Sequence, residues 1–212
     1  MSDPKLSIEV ARQAARWHQL DFPGSKTPIL FFTLRRWLDC IPDTFHDPGK
    51  NAVFKEHFTK EMLSHELDIA QETPLRFNSK IMFCHNDLLS ANIIENGGEV
   101  SFIDYEYAAY NYAAYDIANH FCEFAGFDCD YDLFPDKDFQ CRWIAAYLGD
   151  ASLEALEKWQ EEVESYVPIS HMYWTIWGLL QAANSDIDFD YLSYAVKRFK
   201  QYIKSKETNC SL

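Results

Sequence analysis

The chain has 212 residues, 48% of them hydrophobic and 16% aromatic, which is enough apolar material for one sizeable core and too much for a disordered segment. A formal charge of −14 argues against nucleic acid or an anionic membrane surface as the main partner. A small cationic ligand suits such a field better than an anionic one, although acidity alone also serves solubility.

Six cysteines (Cys40, Cys84, Cys122, Cys129, Cys141 and Cys210) are scattered without CxxC pairs, a pattern of reduced thiols rather than of a disulfide frame or a zinc site. There is no basic-then-apolar signal at the N-terminus and no apolar run of bilayer length. These features predict a soluble, cytoplasmic protein with no stable membrane insertion.

In chain order, Ile8, Ala11, Ala15 and His18 share one face of a predicted amphipathic helix that stops before Phe22-Pro23-Gly24. Residues 30–41 read as a second helix, followed by a loop over 42–49. Residues 56–71 have helical spacing, with Phe58, Met62, His65 and Ile69 on one side. Three short strand-like pieces follow at 81–84, 92–94 and 99–103, the last two joined by an Asn96-Gly97-Gly98 turn. Beyond Asp104 the pattern is helical nearly to the end, over 115–124, 139–148, 153–163, 169–183 and 191–204. In the last helix Leu192, Ala195, Val196, Phe199 and Ile203 form a stripe expected to face the core. The expected organisation is a single, mostly helical unit with a small β-hairpin where the chemistry sits.

That chemistry is carried by residues 85–92, His-Asn-Asp-Leu-Leu-Ser-Ala-Asn, answered across the hairpin by Ile103-Asp104. A phosphotransferase needs metal ligands, positioning and a group to receive a hydroxyl proton. Asp87 is the candidate base, Asn92 offers a hard amide oxygen to Mg²⁺, and Asp104 offers a chelating carboxylate. His85 reads as a brace for the loop rather than a proton carrier. A lone HxDxxxxN pattern also arises where Asp and Asn merely cap a turn. The hairpin, the apolar strand and the second Asp together favour phosphotransfer.

These motifs resemble the choline/ethanolamine kinases, within the protein-kinase-like fold. Residues 83–94 resemble the family's catalytic loop, and 102–108, continuing through Tyr110-Asn111-Tyr112 to residues 116–121, resemble its second signature block. Leu88-Leu89, residues 123–126 and residues 187–190 are similar to the ethanolamine branch. The resemblance implies an ATP- and Mg²⁺-dependent kinase with Asp87 as catalytic base and Asn92 and Asp104 binding magnesium. It implies an amino-alcohol pocket of Glu123, Trp174, Trp177 and Tyr194, with His85, Asn86 and Glu106 in support. Trp174 and Trp177 are three apart on a predicted helix and so share a face. Indole faces attract an ammonium group, and a carboxylate adds charge pairing. Aromatic pairs at this spacing also occur simply as core.

The implied fold is mainly α (α+β), the C-terminal lobe of a kinase-like fold, spanning 1–212 with the catalytic loop at 83–94, a metal-binding segment at 102–108 and substrate-pocket helices over 169–204. The family's N-terminal lobe, with its glycine-rich loop and phosphate-pairing lysine, is expected to be missing from these residues. The seven glycines begin at Gly24, and Lys5, Lys26 and Lys50 lie in no V-A-I-K-like strand. Loss of that clamp would impair transfer. The expected function is phosphorylation of ethanolamine to phosphoethanolamine for phosphatidylethanolamine synthesis. Choline kinase, a more distant aminoglycoside phosphotransferase, and an inactive module binding amino alcohol or a partner kinase are the alternatives. The family resemblance also leaves a homodimer open.

Overall fold

The computed structural model of the protein describes residues 3–149 and 152–209, so Cys210 lies outside the described residues. The five described cysteines are all free. Helix α1 (Pro4–His18) starts where the Asp3 carboxylate accepts hydrogen bonds from the backbone N–H groups of Lys5 and Leu6, with proline in the first turn. Its buried face is Ser7, Val10, Ala11, Ala14 and His18; Ile8 and Ala15, expected at its centre, are only half-buried flanks.

Helix α2 (Leu30–Cys40), expected over 30–41, buries Leu30, Leu34 and Leu38, one residue every four along one face. The helix expected over 56–71 is broken. Helix α3 (Pro48–His57) ends at an extended Phe58, and α4 (Lys60–Ala70) restarts where the Thr59 hydroxyl accepts the Met62 N–H. The restart rotates the helix, so Leu63, Leu67 and Ala70 face the core while His65 and Ile69 point to solvent. A short helix α5 (Glu72–Phe77) ends at Asn78 in the left-handed region, φ 48°.

Four short strands follow, β1 (Ile81–Cys84), β2 (Ile93–Asn96), β3 (Glu99–Phe102) and β4 (Ala109–Tyr112), of which β4 was not foreseen. They form two antiparallel pairs. Strand β1 pairs with β4, Ile81 opposite Tyr112, and β2 pairs with β3, Ile93 opposite Phe102. The β2–β3 turn is Gly97-Gly98, with φ of 61° and 91°, the positive angles a two-residue hairpin turn of this hand requires.

Helix α6 (Ala113–Cys122) begins and ends two residues earlier than its periodicity predicts, and a single 3₁₀ turn, Glu123–Ala125, closes on Gly126. Helix α7 is Lys137–Leu148. The two helices expected over 153–163 and 169–183 are one, α8 (Leu153–Asn184), continuous through Pro168. An internal proline costs about 3 kcal/mol. Here the turn around it buries Tyr166, Ile169 and Met172, and burying each such side chain is worth about 1.5–3 kcal/mol, so packing outweighs the break.

Helix α9 (Tyr191–Asn209) packs along α8 more extensively than any other pair of elements, and α6 also lies on α8. The α9 stripe is rotated from expectation. Leu192 and Ala195 are buried and Ile203 is exposed, while Tyr194, Arg198 and Tyr202 complete the inward face. Gly178 permits the close approach, because a Cβ there would lie 3.1 Å from both the Ala195 Cβ and the Tyr191 carbonyl oxygen. Among the described residues no helix is long and apolar enough to cross a membrane.

Candidate active site

One face of α6 holds the loop that follows β1. Asp116, Asn119 and His120, spaced i, i+3 and i+4, all bond to that loop's backbone. The Asp116 carboxylate accepts the N–H groups of His85 (2.9 Å) and Asn86 (2.7 Å), the Asn119 amide donates to the Asn86 carbonyl (3.1 Å), and His120 Nδ1 bonds the Leu88 carbonyl (2.8 Å). Burial pushes the Asp116 carboxyl up, but the His18 hydrogen bond and charge and the His85 N–H outweigh it and hold the carboxyl below its ordinary range. His18, Cys84 and Asp116 lie close enough to suggest a metal site. His18, however, already spends Nε2 on Asp116 (2.9 Å) and Nδ1 on the Tyr147 hydroxyl (2.7 Å), so the cluster braces the loop.

Clamped in this way, the loop tolerates strain. Asn86 sits at φ 65°, held by its amide donating to the Tyr107 carbonyl (2.9 Å) and accepting from Asn111 (2.7 Å). His85 Nε2 bonds the Ile103 carbonyl at 3.0 Å, tying the loop to the segment that carries Asp104. The Ile103 N–H in turn donates to the Asn92 carbonyl (3.0 Å), bringing Asn92 and the left-handed Asp104 (φ 62°) alongside each other.

Asp87 projects from this scaffold. It is 7% exposed, and its Oδ1 is buried without a hydrogen-bond partner, while Oδ2 accepts from the Asn92 amide at 3.3 Å. Burial, then the charges of Glu123, Asp104 and Glu106, raise its carboxyl to about 7, against a small lowering by Asn92. The Asn92 amide nitrogen also donates to the Asp87 carbonyl (2.8 Å), which leaves the Asn92 amide oxygen as its outward group. An amide oxygen beside two carboxylates is a donor set that fits a hard divalent cation such as Mg²⁺.

Asp87, Glu106 and Glu123 line a cleft of about 90 Å³ together with Tyr107, Trp174, Trp177 and Tyr194. Leu89 and Phe127 complete it. The aromatic walls meet edge to face. Trp174 and Trp177 lie 5.3 Å apart at 80°, Trp177 and Tyr194 6.2 Å apart at 82°, and Tyr107 and Trp174 6.1 Å apart at 69°. Both indole N–H groups are spent on protein acceptors, Trp174 on the Asn119 amide oxygen (2.7 Å) and Trp177 on the Tyr107 hydroxyl (3.1 Å). No basic side chain lines the cleft among the described residues. It therefore offers carboxylates and ring surfaces, a surface for a cation.

Of the residues foreseen from sequence, Asp87, Glu106, Glu123, Trp174, Trp177 and Tyr194 line this cleft; His85, Asn86, Asn92 and Asp104 do not, and belong to the braced loop and strand end beside Asp87. Two participants were not foreseen. Tyr107 sits inside a motif block, but its side-chain role depends on contact with α8, where the Trp177 indole donates to its hydroxyl. Arg198 lies behind Glu123, its Nη1 3.5 Å from the Glu123 carboxylate and 3.4 Å from the Tyr194 hydroxyl, and its Nη2 3.1 Å from the Ser170 hydroxyl. The one available signal was a basic residue four positions after Tyr194 within an otherwise apolar stripe.

Residues 1–203 match the family model for choline/ethanolamine kinase. The chain is 37% identical over 214 residues to a protein named probable ethanolamine kinase A from Dictyostelium discoideum, covering 98% of this chain and 61% of that one. It is also 37% identical over 220 residues to a probable ethanolamine kinase from Arabidopsis thaliana, covering 100% of this chain and 59% of the relative. A solved structure of Plasmodium vivax ethanolamine kinase matches with a TM-score of 0.85 at 31% identity, over 94% of this chain and 59% of that one. The chain thus spans roughly three fifths of the length of these relatives. On the family match across nearly all of its residues, the chain belongs to the choline/ethanolamine kinase family.

Proposed function

We propose that this chain carries the catalytic base and amino-alcohol pocket of an ATP-dependent ethanolamine kinase. The observation that supports it most is a single juxtaposition: a buried, unpartnered Asp87 carboxylate oxygen shares one cleft with Glu123 and the Trp174–Trp177 pair. In this reading the substrate ammonium lies against the indoles and is hydrogen-bonded by Glu123, and its hydroxyl reaches Asp87. Asp87 orients that hydroxyl and receives its proton as the oxygen bonds to the γ-phosphorus of ATP and the bond from that phosphorus to the bridging β-phosphate oxygen breaks, releasing ADP. Asn92 and Asp104 are the residues that would hold Mg²⁺, which when bound supplies charge neutralisation for the phosphates. Clamping the nucleotide is a further requirement of the reaction, and none of the described residues is assigned to it.

Ethanolamine is preferred over choline in this reading because Glu123 can accept a hydrogen bond from a primary ammonium and not from a trimethylammonium. The aromatic walls alone favour choline equally. The product, phosphoethanolamine, feeds phosphatidylethanolamine synthesis in the cytoplasm. The test is ³¹P NMR of the protein with MgATP and either ethanolamine or choline. Phosphoethanolamine formation that is lost in Asp87→Ala supports the proposal. A preference for choline overturns the substrate assignment, and turnover unaffected by Asp87→Ala overturns the base.

A further inference from the structure

The ammonium-binding carboxylate of the proposed pocket is not free-standing. Glu123 sits on the 3₁₀ turn after α6, and its side chain is 8% exposed; behind it the Arg198 side chain is 1% exposed. A fully buried arginine is uncommon and must be paired. Its Nη1 faces the Glu123 carboxylate and the Tyr194 hydroxyl, and its Nη2 donates to both the carbonyl and the hydroxyl of Ser170. Nε has no partner, so the two terminal nitrogens alone set the guanidinium plane. The Ser170 hydroxyl donates to the Asn119 amide oxygen at 2.8 Å, the same oxygen that accepts the Trp174 indole N–H. One continuous polar chain therefore joins Glu123, Arg198, Ser170, Asn119 and Trp174, behind the cleft and away from the substrate.

We propose that Arg198 is a positioning residue for the ammonium pocket, fixing the Glu123 carboxylate and the Trp174 indole as one preorganised unit. The inference rests on the ethanolamine reading of the cleft. Glu123 shares this small cleft with Asp87, whose carboxyl its charge raises, and such like-charge repulsion favours rotation away or uptake of a proton. A guanidinium on the opposite side offsets that repulsion without entering the cleft, and one carboxylate oxygen stays directed at the ligand. Burial raises the Glu123 carboxyl, and Arg198 opposes that rise. Two further groups tie the arginine to the pocket wall. Tyr194 both lines the cleft and meets Nη1, and Ser170 passes the constraint to the indole, so loss of Arg198 loosens both walls at once. Lysine cannot reproduce this, since a single ammonium cannot span Glu123 and Ser170 in the fixed fork of a guanidinium.

The test is a double-mutant cycle on ethanolamine affinity, with wild type, Arg198→Met, Glu123→Gln and the double variant, followed by calorimetric titration of ethanolamine, KM for ethanolamine and for ATP, and thermal melting. Coupled neighbours deviate from additivity by severalfold in affinity. The expected result is that Arg198→Met weakens ethanolamine binding about tenfold in the wild-type background and less than about twofold in the Glu123→Gln background, with KM for ATP unchanged. The double variant, which no longer buries an unpaired carboxylate, is expected to melt higher than Arg198→Met without regaining affinity. If Arg198→Met does not fold, Arg198→Lys closes the same cycle. Additive losses, or a variant that loses thermal stability while keeping its ethanolamine affinity, would assign Arg198 a purely structural role and overturn the proposal. Failure of the wild-type protein to bind ethanolamine overturns the function reading and this inference with it, whereas wild-type binding with additive losses overturns the positioning role alone.

Discussion

Asn119 accepts the indole N–H of Trp174 at 2.7 Å through its amide oxygen and donates to the Asn86 carbonyl at 3.1 Å through its amide nitrogen. One buried side chain thereby couples the wall of the cleft to the loop that presents Asp87. Replacing it with alanine leaves the Trp174 N–H, the Ser170 hydroxyl and the Asn86 carbonyl without this partner. Each orphaned buried group costs about 1–3 kcal/mol, so Asn119→Ala should lose roughly 3 kcal/mol or more in urea denaturation. It should also raise the ethanolamine KM, because the indole is no longer fixed.

Asp87→Asn should separate activity from stability. Three acidic neighbours and burial disfavour the Asp87 carboxylate, so its removal relieves a cost that the fold otherwise carries. The variant should melt higher, by a stabilisation of about 1–2 kcal/mol, while phosphoryl transfer falls at least a hundredfold. Calorimetric melting alongside the ³¹P assay checks both. A fall in melting temperature would mean that the carboxylate is a net structural asset.

Two buried histidines set an acid limit on stability. Burial lowers the His120 pKa to about 4, and it lowers that of His171 well below the ordinary value. The unfolded chain titrates its histidines near 6.5, so it binds more protons than the native state below that pH, and stability falls as pH drops from 6.5 towards 4. For His120 alone the loss approaches about 3 kcal/mol at the lower end of that window. Urea denaturation at pH 7.5 and pH 5 should show this loss. The pH slope should shrink in His120→Asn, whose amide can still donate to the Leu88 carbonyl.

Gly178 should resist substitution by larger residues. A Cβ there meets the Ala195 Cβ and the Tyr191 carbonyl at 3.1 Å and the Tyr194 Cδ1 at 3.4 Å, so Gly178→Val pushes α9 off α8 at the level of the pocket. Overpacking of this kind costs about 1–3 kcal/mol. The expected readout is a lower melting temperature together with a raised ethanolamine KM, since Tyr194 moves with α9.

Much of this site was legible in the sequence because its catalytic residues lie within a short span. The spacing of His85, Asp87 and Asn92, with Asp104 across a glycine turn, is local geometry that the sequence displays directly. What was not legible depends on distant packing. The periodicity around 56–71 hid the break at Phe58-Thr59, although Thr59 was a readable capping residue, and the missed break misdirected the face of α4. Pro168 suggested two helices, where burial of Tyr166, Ile169 and Met172 keeps one. Strand β4 was concealed in a tyrosine-rich block because its partner, β1, lies 25 to 31 residues earlier in the register. Arg198 lies in the basic run Lys197-Arg198-Phe199-Lys200, which reads as a solvated face, and only the fold brings it to Glu123, 75 positions away in sequence.

The central claim is that ethanolamine sits between Glu123 and the paired indoles, with its hydroxyl directed at Asp87. Intermolecular nuclear Overhauser effects between the methylene protons of ethanolamine and the protein's indole rings test it most directly. Contacts to both Trp174 and Trp177 are expected, assigned by their loss in the respective phenylalanine variants, and weakened together in Glu123→Gln. Saturable ethanolamine binding with no contact to either indole would contradict it.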